Sequence, residues 1–206
     1  ISRPNEYYDQ FPAMIDSWRA DWKQGDFPFI FVQLANLNEA CKEPCESGMA
    51  ELRNAQASAL SLPNSAMAVA YDVGEWNDIH PLNKKDVGIR LALGARKIAY
   101  GEDVVFSGPV VEDFKVKKNK VYLSFNHSDG GLNSKGNKLG GFAIAGEDGK
   151  FVWATAKIVK NQVVVYAKGV KNPKKIRYAW ADNPDNANLY NGADLPAPPF
   201  SINLNR

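Results

Sequence analysis

The chain has 206 residues and a formal net charge of +2, with 45% hydrophobic and 23% charged residues. This apolar content is too high for an intrinsically disordered chain. No apolar run reaches the roughly 18 residues of a membrane span, and the near-neutral charge argues against a nucleic-acid binder, which usually has a basic face.

The first half of the chain alternates helix and strand patterns. Apolar residues at spacings of three and four predict a helix over residues 5–23, with Asn5 as its N-cap and Gly25 as its stop. The continuous apolar run at 27–36 predicts a strand that is buried on both faces. Residues 48–61 are rich in helix formers and predict a second helix.

A second apolar run at 66–73 predicts another buried strand, and residues 83–100 predict a third helix. Asn83 is its expected cap, with Asp86 in the first turn. Four apolar residues supply its predicted buried face: Val87, Leu91, Ala95 and Ile98. An alternation of helices and strands is typical of a parallel sheet covered by helices, in which ligands bind at the carboxyl ends of the strands. We therefore assign residues 1–103 to an α/β domain.

From about residue 104 the pattern changes to period-two alternation broken by turn signals. The segments 147–150 (EDGK) and 159–162 (VKNQ) are predicted hairpin turns. Residues 127–141 are expected to form a long flexible loop between strands. Six or seven short strands and no helix pattern make residues 104–206 a predicted antiparallel β-sandwich module.

The two cysteines, Cys41 and Cys45, are four residues apart on either side of Pro44. A disulfide between them would close a short loop and gain little from chain entropy, so a local disulfide and two free thiols both stay open. No histidine lies near them, and the chain has no zinc or calcium motif and no phosphate-binding glycine loop. The sequence thus indicates neither a metal nor a cofactor.

His80 is the strongest catalytic candidate in the sequence. It follows the second predicted strand at the carboxyl end, where an active site would lie, and Asp78 is two residues before it. A histidine with a carboxylate alongside is the acid–base half of a Ser-His-Asp arrangement, in which the carboxylate fixes the imidazole tautomer. The alternative is a loop histidine that bonds to the backbone or caps the helix.

Three further residues are candidates for substrate binding. Gln33 lies at the end of the first strand, where it contacts either a ligand or local backbone groups. Arg53 is positioned on the second helix to hold a carboxylate of the protein, as a buried ion pair, or of a ligand. Trp76 either stacks on a sugar or covers the loop that carries it.

The serine that would complete such a site is not found in this chain. No serine lies in a Gly-x-Ser-x-Gly or Gly-Asp-Ser frame. If His80 is catalytic, its serine must therefore come from sequence outside these residues. The chain also starts at Ile1 without an apolar signal segment, so we expect it to be processed, truncated or one piece of something larger.

Several segments together resemble a known family. They are WRADWKQGDFPFIFVQLAN, MAELRNAQ and LPNSAMAVAYDVGEWNDIHPLNKKDVGIRLAL in the first half, and IAGEDGKFVWATAKI, RYAWADNP and NLYNGADLPAPPF in the second. Over nearly its whole length the chain is similar to the carboxyl-terminal portion of the sialate O-acetylesterase family of bacterial carbohydrate esterases. DIHP with the following NKKDVG is the most specific part of the resemblance.

The resemblance implies part of an SGNH-type hydrolase domain, a flavodoxin-like three-layer α/β/α fold, followed by a β region. It implies removal of acetyl groups from hydroxyls of sialic acids or other acetylated sugars, by a serine in a Gly-Gln-Ser-Asn motif that would lie in an amino-terminal half. The catalytic histidine of the family carries over onto His80. Many SGNH hydrolases place aspartate three residues before it, but here that residue is Asn77, so Asp78, Glu75 or a backbone carbonyl would orient the ring.

From the resemblance we expect a periplasmic or secreted bacterial serine esterase whose partners are an O-acetylated sugar and the serine-bearing amino-terminal half, with no nucleic acid or membrane as partner. The chain alone is expected to be inactive. The alternative is a carbohydrate-binding protein with a degenerate esterase fold. Its glycan would bind through aromatic rings of the β module: Trp153, Tyr178 and Trp180.

Overall fold

A computed structural model describes residues 3–205. In the first half, a 3-10 turn at Pro4–Glu6 leads into helix α1 (Tyr7–Trp22), strand β1 (Phe29–Val32), helix α2 (Gly48–Ser58) with a 3-10 turn at Ala59–Ser61, strand β2 (Ser65–Ala68) and helix α3 (Lys84–Ile98). Strands β1 and β2 pair in parallel, with Phe29 opposite Ser65 and Val32 opposite Ala68. The predicted order of helices and strands is therefore confirmed.

As far as residue 205, the second half contains ten strands: β3 (Val110–Lys117), β4 (Lys120–Asn126), β5 (Leu132–Ser134), β6 (Phe142–Ala145), β7 (Phe151–Trp153), β8 (Thr155–Val159), β9 (Gln162–Tyr166), β10 (Lys175–Tyr178), β11 (Leu189–Asn191) and β12 (Phe200–Asn203). They form two four-stranded sheets, in the orders β12-β10-β6-β7 and β3-β4-β9-β8, and a small sheet of β5 and β11. All pairings within these sheets are antiparallel.

The two predicted hairpin turns are confirmed, because β6 pairs with β7 and β8 pairs with β9 on either side of them. Two other expectations for this half were wrong. The number of strands was set too low, since β5, β7 and β11 have three residues each and show no usable alternation. The segment 127–141 is not a loop throughout, because it contains β5, which pairs with β11.

Helix caps were predicted with mixed success. Asn83 caps α3 as expected, and its Oδ1 accepts a hydrogen bond from the Asp86 backbone N–H at 3.1 Å. Asn5 does not cap α1, because it lies inside the 3-10 turn and the helix begins after Glu6 without a side-chain cap. At the other end, Lys23 has a left-handed φ of 54° and ends α1 two residues before Gly25.

The predicted buried face of α3 is confirmed in part, because its two most buried residues lie within one helical turn of the predicted ones, on the same side of the helix. Arg90 and Gly94 are its buried residues, and the four apolar residues expected there are only half-buried. Gly94 lets the helix approach the sheet closely: a Cβ at this position would be 3.1 Å from the Ala66 Cβ and 3.2 Å from the Ile30 Cγ2. The first strand is also not buried on both faces, since Val32 is 37% exposed.

One hydrophobic core joins the two halves of the chain. It contains side chains of both four-stranded sheets, such as Leu123 and Val165 from one and Ile144 from the other. Val69 and Tyr71, which follow β2, belong to the same cluster. The segment that leads from β2 towards His80 is therefore packed directly against the β module.

The two cysteines of the first half, Cys41 and Cys45, are bonded to each other in a disulfide. Their loop lies on the β module, where the Arg177 guanidinium makes two hydrogen bonds to the Glu46 carboxylate at 2.8 and 2.9 Å. Within residues 3–205, no helix combines the length and apolar content that crossing a bilayer requires.

Candidate active site

His80 and Asp78 lie together on the loop between β2 and α3. The backbone N–H of His80 donates to Asp78 Oδ1 at 2.8 Å, and His80 Nδ1 lies 2.9 Å from the same oxygen. Because an ionised carboxylate only accepts hydrogen bonds, the Nδ1 carries the proton of the neutral ring. The Nε2 then has a free lone pair, which is the state that a general base requires.

This pair is open to solvent. The His80 side chain is 81% exposed and the Asp78 side chain 51%. The backbone N–H of His80 and, after it, the His80 ring lower the pKa of Asp78 below its usual range, because both hydrogen bonds favour the ionised form. Asp78 therefore remains a carboxylate at neutral pH.

A second acid shapes the same loop. Glu75 Oε2 accepts a hydrogen bond from the Leu82 backbone N–H at 3.2 Å, and the backbones of Glu75 and Asp78 form an isolated antiparallel bridge. Glu75 thus ties the two ends of the turn that presents His80. Its hydrogen bond goes to the backbone, whereas Asp78 is the acid in contact with the imidazole.

The base of the loop is held by a buried ion pair that sequence reasoning missed. Arg90 Nη1 and Nη2 donate to the two Asp72 oxygens at 2.6 and 2.7 Å, and both side chains are 8% exposed. The Tyr190 hydroxyl, from β11, donates to Asp72 Oδ2 at 2.8 Å. The available signal was the position of Asp72 at the carboxyl end of the second predicted strand.

A polar cleft of about 490 Å³ opens beside this loop. Trp76 and Asn77 line it from the loop, and Asn183 and Asp185 line it from the β module. The Trp76 side chain is 57% exposed, so its ring neither packs into the core nor covers the loop as a buried plug. Of the three substrate-binding candidates, Trp76 is the one that lies on the loop carrying His80 and lines the cleft beside that loop.

Gln33 and Arg53 lie elsewhere, and both side chains are fully buried. Gln33 Nε2 donates to the Arg53 carbonyl at 2.9 Å. The Arg53 guanidinium donates to four backbone carbonyls, those of Leu34, Ala35, Ala181 and Asp182. Their predicted contact with a substrate has no support from this burial, and the alternative of a side-chain ion pair for Arg53 was also wrong.

The environment of Arg53 explains how an arginine is accommodated there. Burial lowers the pKa of Arg53 to about 10, while the nearby Asp182 carboxylate opposes that shift. Its carbonyl partners come from the segment after β1 and from residues after β10, 128 and 129 positions away along the chain. Arg53 thus joins the α/β part to the β module.

The aromatic residues proposed for glycan binding are mostly in the core. Tyr178 is fully buried and Trp180 is 7% exposed. Trp153 is half-buried, and its Nε1 donates to the Lys42 carbonyl at 2.9 Å, beside the disulfide loop. Buried rings cannot stack on a glycan, so this arrangement does not favour the binding-protein alternative.

His127 lies away from the loop that carries His80. His127 lies edge-on to Phe106, with ring centroids 5.4 Å apart, at a separate apolar pocket. Within the described part of the chain, no three His, Cys, Asp or Glu side chains cluster as a metal site would require.

Comparisons with known proteins agree with this architecture. The chain is 30% identical over 220 residues to the human sialate O-acetylesterase and 28% identical over 225 residues to the rat enzyme. These matches cover 94% and 96% of this chain but only 42% and 41% of the relatives, so the chain spans about two fifths of their length. No protein-family model matches the sequence.

One solved structure has a fold closely similar to that of this chain. The crystal structure of a carbohydrate acetylesterase from Xanthomonas citri superposes with a TM-score of 0.91 at 42% sequence identity, over 97% of this chain and 46% of that chain. The present chain thus shares a mixed α/β fold with antiparallel sheets and few helices with that enzyme. Together these matches confirm the resemblance to the sialate O-acetylesterase family that the sequence predicts.

Proposed function

We propose that this chain supplies the histidine and its orienting acid to a carbohydrate O-acetylesterase. In this proposal residues 1–103 are part of an SGNH-type α/β/α domain, and residues 104–206 form a β-sandwich that follows it. The names of the relatives support a sugar ester as the substrate. The observation that carries the proposal is the contact between His80 Nδ1 and Asp78 Oδ1 on an exposed loop after β2.

The reaction is an acyl transfer in two steps. His80 Nε2 takes the proton of a serine hydroxyl, and the serine oxygen attacks the acetyl carbonyl. As the tetrahedral intermediate collapses, the ester C–O bond breaks and the imidazolium returns that proton to the sugar oxygen. His80 then activates a water molecule, which releases acetate from the acetyl-serine and regenerates the serine hydroxyl.

Asp78 is the acid that we assign to the imidazole. It holds the proton on Nδ1 and stabilises the imidazolium that forms during each step. The family pattern would place the acid at Asn77, but the turn formed by the His80 backbone N–H brings Asp78 to the ring instead. A spacing of two residues therefore provides the same contact through a tighter turn.

The serine is proposed to come from an amino-terminal portion of the same protein, outside these 206 residues. The high exposure of His80 supports this, because a complete site would cover the imidazole. We also propose a periplasmic or secreted location in a bacterium. The disulfide between Cys41 and Cys45 supports an oxidising compartment.

The test uses an enzyme that contains both this chain and the serine-bearing portion, assayed on p-nitrophenyl acetate and on an acetylated sugar. We expect His80→Ala to lower kcat by about 100-fold or more, because the general base is lost. Asp78→Asn should lower it by about tenfold or more, because the amide no longer fixes the productive tautomer. The other histidine provides the control, and His127→Ala should leave kcat unchanged.

This chain by itself should show no saturable deacetylation. Activity of the isolated chain, or full activity of the His80→Ala enzyme, would overturn the proposal. A binding protein with a degenerate site would give a third pattern, in which sugar binding is measurable, turnover is absent, and His80→Ala changes neither.

A further inference from the structure

The cleft beside the catalytic loop is built from both halves of the chain. Trp76 and Asn77 belong to the loop that carries His80, while Asn183 and Asp185 belong to the segment between β10 and β11. Asn36, which follows β1, lines its floor. Most of its surface is polar, as expected for a site that receives a hydroxyl-rich ligand rather than an apolar one.

The cleft lies close to the reacting centre. Asn77 is three residues from His80, so their Cα atoms are at most about 11 Å apart, because consecutive Cα atoms are separated by about 3.8 Å. The hydrogen bond from the His80 backbone N–H to Asp78 Oδ1 folds this stretch into a turn, so it is not fully extended. A sugar whose acetylated oxygen meets His80 would therefore extend into the cleft.

The side chains present are those that recognise sugars. Trp76 offers an exposed aromatic face, on which the apolar face of a pyranose ring can stack. Asp185 is exposed, and its carboxylate oxygens can accept hydrogen bonds from neighbouring hydroxyls.

Asn36 holds one of the residues that line the cleft. It is 7% exposed, and its Nδ2 donates to Asn183 Oδ1 at 3.1 Å. Its Oδ1 is buried against Gly74, out of reach of the cleft. The Asn36 amide therefore fixes the orientation of Asn183 at the cleft and is not itself a contact for the ligand.

We propose that this cleft is the subsite for the leaving sugar, and that the β module contributes to specificity through Asp185 and Asn183 opposite Trp76. The inference rests on the esterase function proposed above. It adds the residues that select the alcohol part of the ester. They act by positioning the sugar and take no part in moving the proton or the acetyl group.

The experiment compares two substrates in the serine-containing enzyme. The two substrates are p-nitrophenyl acetate, whose alcohol part carries no sugar hydroxyls, and a mono-O-acetylated hexose. The measured quantity is the ratio of kcat/KM for the sugar ester to kcat/KM for p-nitrophenyl acetate. We expect Trp76→Ala to lower this ratio by about tenfold and Asp185→Ala to lower it by severalfold, mainly through a higher KM.

Matched controls are available on α1. Trp22 is 67% exposed and Asp9 is exposed, so Trp22→Ala and Asp9→Ala remove the same side chains away from the cleft and should leave the ratio unchanged. An unchanged ratio in both Trp76→Ala and Asp185→Ala would overturn the subsite. Failure of the proposed esterase function would give a different result, because His80→Ala would then leave the hydrolysis of both substrates unchanged.

Discussion

Asp78 uses a single oxygen to hold both the backbone and the ring of His80. The backbone contact is the larger cause of its lowered pKa, and the ring contact is the second. Because the folded pKa lies below the unfolded one, the stability that this contact adds is present above the unfolded value near 3.9 and is lost as the pH falls through the folded pKa. The loop geometry should therefore persist across the neutral range.

The first prediction concerns this carboxylate. A carbon-detected NMR titration of the side-chain carboxyl should place the midpoint of Asp78 below its usual range in the wild-type chain. In His80→Ala most of the lowering should remain, because the backbone N–H is still present. A return of the midpoint to the usual value in that variant would show that the ring, and not the backbone, holds the charge.

Local sequence was sufficient to predict the His80–Asp78 pair, since both partners lie within three residues and meet in a turn. It was not sufficient for Arg53 and Gln33. Arg53 is satisfied by the carbonyls of Ala181 and Asp182, which are more than 120 residues away. Whether such a residue faces a ligand or the backbone depends on packing that no local pattern encodes.

At the scale of elements, α3 shows how a helix face is decided by its neighbours. The face that packs on β1 and β2 is set by Gly94, where no side chain intervenes, and by Arg90, which reaches back to Asp72. Apolar periodicity predicted this side of the helix but missed its two most buried positions, because it counts large apolar residues and gives no weight to a glycine or an arginine. The bounds of the helix and its cap, which depend on nearby residues, were predicted well.

Two glycines of α3 provide a matched pair for the second prediction. Gly88→Ala should stabilise the chain by up to about 1 kcal/mol, because alanine is the better helix former and its Cβ meets no atom within 4 Å. Gly94→Ala should stabilise the chain less than Gly88→Ala or should destabilise it, because the new Cβ would lie only 3.1 Å from Ala66 and 3.2 Å from Ile30. Urea unfolding of both variants measures the difference, and equal stabilisation would contradict the close approach of α3 to the sheet.

The whole molecule is held together across the boundary that the sequence suggests near residue 103. The shared core and the Arg53 hydrogen bonds both cross it. Ser47, the N-cap of α2, also reaches the Asp182 carboxylate on the other side. The change in sequence pattern was therefore a sound guide to the kinds of elements but says nothing about how tightly the two kinds pack.

The third prediction follows from this packing. Calorimetry should show one unfolding transition for the chain, and Arg53→Met should lower the free energy of unfolding by about 3 kcal/mol, because several buried carbonyls lose their donor. Arg96→Met is the control, since Arg96 is exposed and its pair with Glu102 should contribute no more than about 1 kcal/mol. Two separate transitions, with only one shifted by Arg53→Met, would mean that the halves unfold independently.

Two buried tyrosines between the two halves limit the stability of the fold at alkaline pH. Tyr71 and Tyr178 lie with their hydroxyl oxygens 3.3 Å apart, Tyr71 donates to the Ala197 carbonyl, and Tyr178 accepts from the Leu189 N–H. Burial raises the pKa of both well above the usual value. Their stabilising contribution is complete below the unfolded pKa near 10 and is lost as the pH rises towards the folded values. In strong base the same hydroxyls that join the two halves would thus become the charges that drive them apart.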